Sequence, residues 1–135
     1  MPLEIKVVIP GGILLDTTAD TVVLPGSEGD FQILPGHLPV FSPLALGMLA
    51  LDEKQRRHVA VFGGVVEVAD DRVTVLAENA ELAEKIDLER AEEARQRAER
   101  RLERARSDAS INIARARAAL RRSLVRLRAR SAPSD

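Results

Sequence analysis

The chain has no cysteine, tryptophan or tyrosine, and only three phenylalanines and two histidines among 135 residues. Without cysteine there is no disulfide and no thiolate-held metal. His37 and His58 stand far apart in sequence, which leaves little from which to build a zinc site or a Ser-His-Asp triad. The scarcity of aromatics argues against a surface on which nucleic-acid bases stack. No apolar run approaches the ~18 residues that a membrane-crossing helix needs. The opening MPLEIKVVIPGG has no basic n-region, and nothing in it reads as an Arg- and Ser-rich transit segment. We expect a soluble protein that stays on the cytosolic side and meets a membrane only through a partner. Glycine-rich phosphate loops of the G-x-x-x-x-G-K-[ST] and G-x-G-x-x-G kinds are missing as well. Gly63-Gly64 reads as a bulge or tight bend. Asp16, Asp20, Asp70 and Asp71 read as turn residues, and no nucleophile-and-base pair stands out, so the chain is not expected to catalyse a reaction by itself.

What the chain does have is an uneven charge. The formal net charge is −1, yet residues 1–85 hold 6 basic and 13 acidic groups. Residues 107–135 hold seven arginines (Arg115, Arg117, Arg121, Arg122, Arg126, Arg128 and Arg130) and no carboxylate between Asp108 and Asp135. A basic tail on an acidic body implies an anionic partner, or docking of the tail on the body.

The first 85 residues read as short strands. Leu3-Glu4-Ile5-Lys6-Val7 alternates with period two. Turn signals follow at Pro10-Gly11-Gly12, Pro25–Asp30, Pro35–Pro39, Asp52–Arg57 and Ala69-Asp70-Asp71, between the apolar runs Ile13–Leu15, Thr21–Leu24, Phe31–Leu34, Met48–Leu51, His58–Phe62, Val65–Val68 and Arg72–Leu76. Strands this short, with turns at this spacing, predict a β-sandwich or barrel.

Near residue 86 the period changes. Leu88, Ala91, Ala98, Leu102 and Ala105 share one helical face, and Ile113, Ala116, Leu120, Leu124 and Leu127 form a second stripe. Ser107-Asp108-Ala109-Ser110 reads as the turn between them, which makes residues 86–135 an antiparallel two-helix hairpin. Large apolar side chains are few in both helices. Burying one contributes roughly 1.5–3 kcal/mol, against an ordering cost of about 1–2 kcal/mol per residue, so the hairpin is expected to be marginal unless it packs on something.

The junction reads Ile86-Asp87-Leu88-Glu89-Arg90-Ala91. Taken locally, Asp87 is an N-cap and Glu89 a favourable first-turn anion. Arg90 occupies the position where a capping box would place Glu or Gln, so capping does not account for it.

These segments together resemble one family. Gly29-Asp30-Phe31-Gln32-Ile33-Leu34-Pro35-Gly36-His37-Leu38-Pro39-Val40 is similar to the "GxxxILPGHxPL" segment of the epsilon subunit of F-type ATP synthases. Val61–Val68 resembles that family's "GGFxEV" strand pair, with Val65 where an aromatic is common. Val73–Ala77 resembles its "VTILA" strand, and Ile86–Ala91 its "I/L-D-x-x-R-A" motif. The resemblance implies a ten-stranded flattened β-barrel or sandwich over residues 1–85, followed by a regulatory hairpin over 86–135. It implies a non-catalytic central-stalk subunit peripheral to the cytoplasmic face of a bacterial plasma membrane, coupling proton flow to ATP synthesis. The β domain would bind the gamma subunit and the membrane c-ring. The extended hairpin would reach the alpha and beta catalytic subunits, its basic residues meeting acidic segments of beta, and block ATP hydrolysis.

In members that bind ATP, the resemblance assigns nucleotide contacts that fall here on Glu81, Asp87, Arg90, Ala91 and Arg97. Two more come from the "ALxRAxxRL" segment, matched by Ala119–Leu127 with Ser123 in place of an alanine, and give Arg122 and Arg126. ATP would be a regulatory ligand favouring the retracted hairpin, with no metal site of the chain's own. The spacing is compatible: Arg90 and Arg97 share one helix face, and Arg122 and Arg126 another. Two readings from other classes are a nucleic-acid-binding protein using the Arg-rich helix and a stand-alone ATP sensor. The acidic body and missing aromatics weigh against nucleic acid.

Overall fold

The computed structural model describes residues 2–133. Eight strands come first: β1 (Leu3–Ile9), β2 (Gly12–Ala19), β3 (Thr21–Gly26), β4 (Gly29–Ile33), β5 (Val40–Asp52), β6 (Arg56–Ala69), β7 (Arg72–Ala77) and β8 (Ala80–Leu82). A 3₁₀ turn (Ala83–Lys85) leads into α1 (Leu88–Arg104) and α2 (Ile113–Ser131).

The sheet runs in the order β2-β1-β7-β6-β5-β3-β4, with β8 added to β6. The pairings are antiparallel except β1 with β7. In β1 the alternation works as read: Leu3, Ile5 and Val7 are fully buried and the residues between them exposed.

The expected ten-stranded barrel is not what forms. Among the described residues there are eight strands in one unclosed sheet, whose outer strands β2 and β4 do not pair with each other. The reason lies in β5 and β6. They pair continuously from Val40↔Val68 to Asp52↔Arg56 and run unbroken through both layers. β6 gives its C-terminal half to β7 and Val59–Val61 to β8. At the crossing, Gly63 and Gly64 adopt φ of +83° and +137°. Side chains facing the sandwich core change there from Val59 and Val61 to Val66 and Val68. A Cβ on Gly64 would lie 2.2 Å from the Leu76 carbonyl oxygen, so only glycine fits.

The change of parity turns Ala60 and Phe62 outward. With Leu46 and Met48 of β5 they form an apolar bed on the outside of the sandwich. Ile86, Ala91, Val125 and Ala129 cover it, flanked by Ala83 and Leu127. The hairpin therefore packs back onto the sheet. Ala98, Ala116 and Ser123 are also buried, where α1 and α2 meet. Ser123 is wholly inaccessible, and its hydroxyl donates to the Leu120 carbonyl at 2.7 Å.

Two details of the hairpin differ from the reading of its sequence. The connection is longer than Ser107–Ser110, because α1 ends at Arg104 and α2 begins only after Asn112, whose side chain accepts from Arg115 N at 3.0 Å. Asp108 instead closes a local turn with Ser110. The buried face of α2 is Ala116, Ser123, Val125 and Ala129, while Ile113 and Leu124 stay largely exposed.

Candidate functional site

A cleft of about 440 Å³ opens where sandwich and hairpin meet. It is lined by Glu81, Lys85, Ile86, Asp87, Arg90, Ala91, Ala94, Arg97 and Arg126. Three walls supply these residues: β8 and the 3₁₀ turn, the first three turns of α1, and the C-terminal half of α2. Six of the seven residues proposed from the sequence are among them: Glu81, Asp87, Arg90, Ala91, Arg97 and Arg126. Arg122, one turn earlier on α2 and half-buried, does not line the cleft.

Each side chain is placed by local chemistry. Asp87 caps α1, accepting from the Arg90 backbone N–H at 3.1 Å. That cap starts the helix at a point that sends Ala91 inward, where it is 3 % exposed, and leaves Arg90 and Arg97 exposed along the cleft. Ala91 is small enough to let α1 lie against the apolar bed.

Arg126 is the most constrained of the cations. Its Nε donates to both Glu81 oxygens at 3.0 Å, and its Nη2 lies 2.9 Å from Glu81 Oε1. Its guanidinium also sits over the Phe62 ring, 4.9 Å from the centroid. Glu81 is on β8 and Phe62 on β6, so this one arginine ties α2 to two strands of the sandwich. Phe62 was not visible as a participant in sequence, because nothing local reveals that β6 runs beneath α2.

The other arginines of α1 divide sharply. Arg95 is taken by its own helix, pairing with Glu92 and with Glu99 at 2.7 Å. Those bonds hold the Glu92 carboxyl below the usual carboxylate range, and they hold the Arg95 guanidinium firmly protonated. Arg90 and Arg97 make no ion pair among the described residues, and neither does Lys85. With Glu81 spent on Arg126 and Asp87 on the cap, the cleft carries surplus positive charge beside the apolar side chains of Ile86, Ala91 and Ala94. Such a site suits a ligand with several negative charges and an apolar or aromatic portion.

His58 lies elsewhere on the docking face. It is 7 % exposed and lines a second cleft together with Gln55, Arg56, Arg57, Ala83, Glu84, Ala129, Arg130 and Ala132. His37 is exposed, on the loop before β5. No helix is long and apolar enough to cross a membrane, and no His, Cys, Asp and Glu grouping suits a metal ion, among the described residues.

Residues 2–83 match the beta-sandwich domain of the ATP synthase delta/epsilon chain, and residues 84–130 match the long alpha-helix domain of the same chain. The ATP synthase epsilon chain of Nitratidesulfovibrio vulgaris (strain DP4) is 47 % identical over 90 residues, covering 66 % of this chain and 67 % of that one. The Bacillus subtilis (strain 168) epsilon chain is 46 % identical over 91 residues, covering 67 % and 69 %. Among solved structures, a chain of the Euglena gracilis mitochondrial ATP synthase, determined as OSCP/F1/c-ring, superposes with a TM-score of 0.75 at 20 % identity, covering 89 % of this chain and 76 % of that one. At that identity the likeness concerns the fold.

Proposed function

The chain belongs to the ATP synthase delta/epsilon chain family, as an epsilon chain of bacterial type, and we propose that it regulates a rotary ATP synthase through a nucleotide-sensitive hairpin. The observation that carries this reading is the convergence of Arg90, Arg97 and Arg126 with Glu81, Asp87 and Ala91 on one cleft, at the seam where hairpin meets sandwich.

The seam makes the cleft conditional. Its walls come from α1, α2 and the sandwich, so it exists only while the hairpin is docked. A ligand that needs all three walls stabilises the docked state by RT ln(1 + [L]/Kd), about 2.7 kcal/mol at a hundredfold excess over Kd. ATP fits the charge, its triphosphate facing the arginines and its base the apolar wall. Guanidinium forks suit phosphate oxygens. When ATP is scarce the hairpin is released. Its alanine-rich helices carry few large apolar side chains with which to hold the dock alone. The freed α2 then presents Arg115, Arg117, Arg121, Arg128 and Arg130, all exposed already in the docked state, to acidic segments of the beta subunits and blocks hydrolysis. Replacing these five by alanine should relieve inhibition and leave synthesis intact.

The sandwich is the coupling module, joining the gamma subunit and the c-ring and placing the chain at the cytoplasmic face of a bacterial membrane through the complex. Its outer face supports this role. Ile13, Val8, Leu76, Val65 and Pro43 lie in register across β2, β1, β7, β6 and β5, and Ile13 and Leu76 are 59 % and 50 % exposed. Phe41, Leu34 and Leu38 add further exposed apolar surface at 71 %, 51 % and 80 %. An apolar surface this extensive is a docking surface.

Calorimetric titration of the chain with ATP and magnesium, beside an Arg90→Ala, Arg97→Ala variant and an Arg122→Ala, Arg126→Ala variant, tests the nucleotide reading. Saturable binding that both variants lose is the expected result. No heat at millimolar ATP would reduce Asp87 to a helix cap and Arg126 to a structural tie.

A further inference from the structure

We infer that Lys85 is a phosphate-contacting residue of the cleft, and that through it a bound polyphosphate staples the hairpin to the sandwich rather than only one helix to the other. The inference rests on the nucleotide reading above and adds a residue that lies outside the motifs on which that reading was built.

Lys85 ends the 3₁₀ turn and lines the cleft from the sandwich side. The 3₁₀ turn that carries it packs against both β6 and α2, but the chain leading into it is anchored on the sandwich. Ala80, Glu81 and Leu82 pair with Val61, Ala60 and Val59 of β6, and Glu84 is paired with Arg57 at 3.3 Å. That pair takes the carboxylate next to Lys85 in sequence. Glu81, the carboxylate one turn back, is taken by Arg126. Lys85 is thus a cation on the cleft wall without a carboxylate partner among the described residues, in the same condition as Arg90 and Arg97 across from it.

The consequence follows from where the three cations sit. If the hairpin swings out beyond Ile86, Arg90 and Arg97 travel with α1 and Lys85 stays behind. A ligand held by arginines of α1 and α2 alone would close the two helices on each other and exert no pull toward the sandwich. A phosphate chain that also engages Lys85 couples binding to docking directly. A lysine ammonium is a compact point charge on a flexible stem, suited to the far end of a phosphate chain, where charge is densest and geometry least fixed. Lys85 should therefore distinguish ligands by phosphate number.

The test compares ATP and AMP on the full chain by calorimetry, for the parent and for Lys85→Ala, Lys85→Arg and Arg90→Ala. Circular dichroism verifies the fold of each. A FRET pair between hairpin and sandwich reports docking. Lys85→Ala should weaken ATP by about tenfold, the scale of one charge-assisted hydrogen bond, and leave AMP nearly unchanged. Lys85→Arg should restore most of the ATP affinity, and docking without nucleotide should be the same in all Lys85 variants. Unaltered ATP affinity in Lys85→Ala, with Arg90→Ala impaired, would overturn the role of Lys85 and leave the nucleotide site standing. Equal losses for ATP and AMP would make Lys85 a determinant of hinge geometry and overturn it too. A parent that binds no ATP would overturn both readings together.

Discussion

The tie between Arg126 and Glu81 should be the largest single polar contribution to hairpin docking. The side chains are 26 % and 31 % exposed, so the pair lies between a surface ion pair, worth about 0–1 kcal/mol, and a buried hydrogen bond to charge, worth about 1.5–3 kcal/mol. We take about 1–2 kcal/mol for the pair and add about 0.5–1 kcal/mol for the guanidinium over Phe62. Arg126→Ala should therefore cost docking about 1.5–3 kcal/mol, a fall of roughly ten- to a hundred-and-fifty-fold in the docked-to-undocked ratio. Glu81→Ala should cost somewhat less, because Arg126 keeps Phe62. The chain has no native cysteine, so cysteines placed at the exposed Gln32 and Ser107 take dyes without background labelling. FRET between them along a shallow urea ramp gives the docking free energy for the parent, the two single variants and the double variant. The cycle should yield a coupling of about 1–2 kcal/mol. A coupling below about 0.3 kcal/mol, with both singles folded, would show that the pair is not a latch and that the apolar bed alone holds the hairpin.

Three further outcomes follow from the same interface. His58 is held below its ordinary pKa of about 6.5, first by burial and then by the Arg56 charge, with Asp52 opposing. It is the neutral imidazole that the docked hairpin covers, so docking is fully supported above about pH 6.5 and weakens as pH falls through that value toward the lowered one. Arg57 on β6, Glu84 on the 3₁₀ turn and Arg130 on α2 line the same cleft as His58. The FRET-reported docked fraction should fall between pH 7.5 and 5.5 in the parent and stay flat in His58→Gln. Ser123→Ala removes a hydroxyl bonded only to its own helix and improves helix propensity, so it should be neutral or stabilise by up to about 0.5 kcal/mol, whereas Ser123→Val overpacks the helix seam and should cost about 1–3 kcal/mol in urea titrations. Gly64→Ala forces a side chain onto the Leu76 carbonyl at φ +137° and should lower stability by at least about 2 kcal/mol, or prevent folding, read as Tm.

What the sequence disclosed and what it hid divide along the range of the interactions. Asp87 was legible as a cap because the acceptor and the N–H it serves are three residues apart. The strand alternation of β1 and the bend at Gly63-Gly64 were legible for the same reason. The strand count was not. Whether a long apolar stretch such as Val40–Asp52 makes one strand or two depends on whether β6 follows it around the bend, which is a property of the pairing. The buried stripe of α2 failed similarly. A single-stripe reading favours Leu124, but α2 has two partners, α1 on one side and the Phe62 bed on the other. The small residues Ala116, Ser123 and Ala129 are buried there because the backbones approach closely. Six of the seven candidate cleft residues lie together although they come from three elements, and Arg122 stands outside because it is a full turn away from Arg126.

The double duty of Arg126 has a thermodynamic consequence that joins the latch to the nucleotide. Glu81 engages Nε and Nη2, which fixes the guanidinium at the cleft before any ligand arrives. If the cleft takes ATP as proposed, a docked hairpin is already competent to bind, and the apparent Kd for ATP is the intrinsic one divided by the docked fraction. Once undocking is appreciable, every substitution that weakens docking must weaken ATP binding by the same factor, even one that never touches the ligand. Ser123→Val is such a case, and lowering the pH of the parent, an effect that His58→Gln removes, should act in the same way. The converse holds on the same proposal: ATP should raise the docking free energy of the parent by RT ln(1 + [ATP]/Kd), and should do so less in Arg126→Ala, which loses the tie and the proposed ligand contact. If docking and ATP affinity were found to vary independently across these variants, the cleft would be a site of the folded hairpin alone, and the sandwich would have no part in sensing the nucleotide.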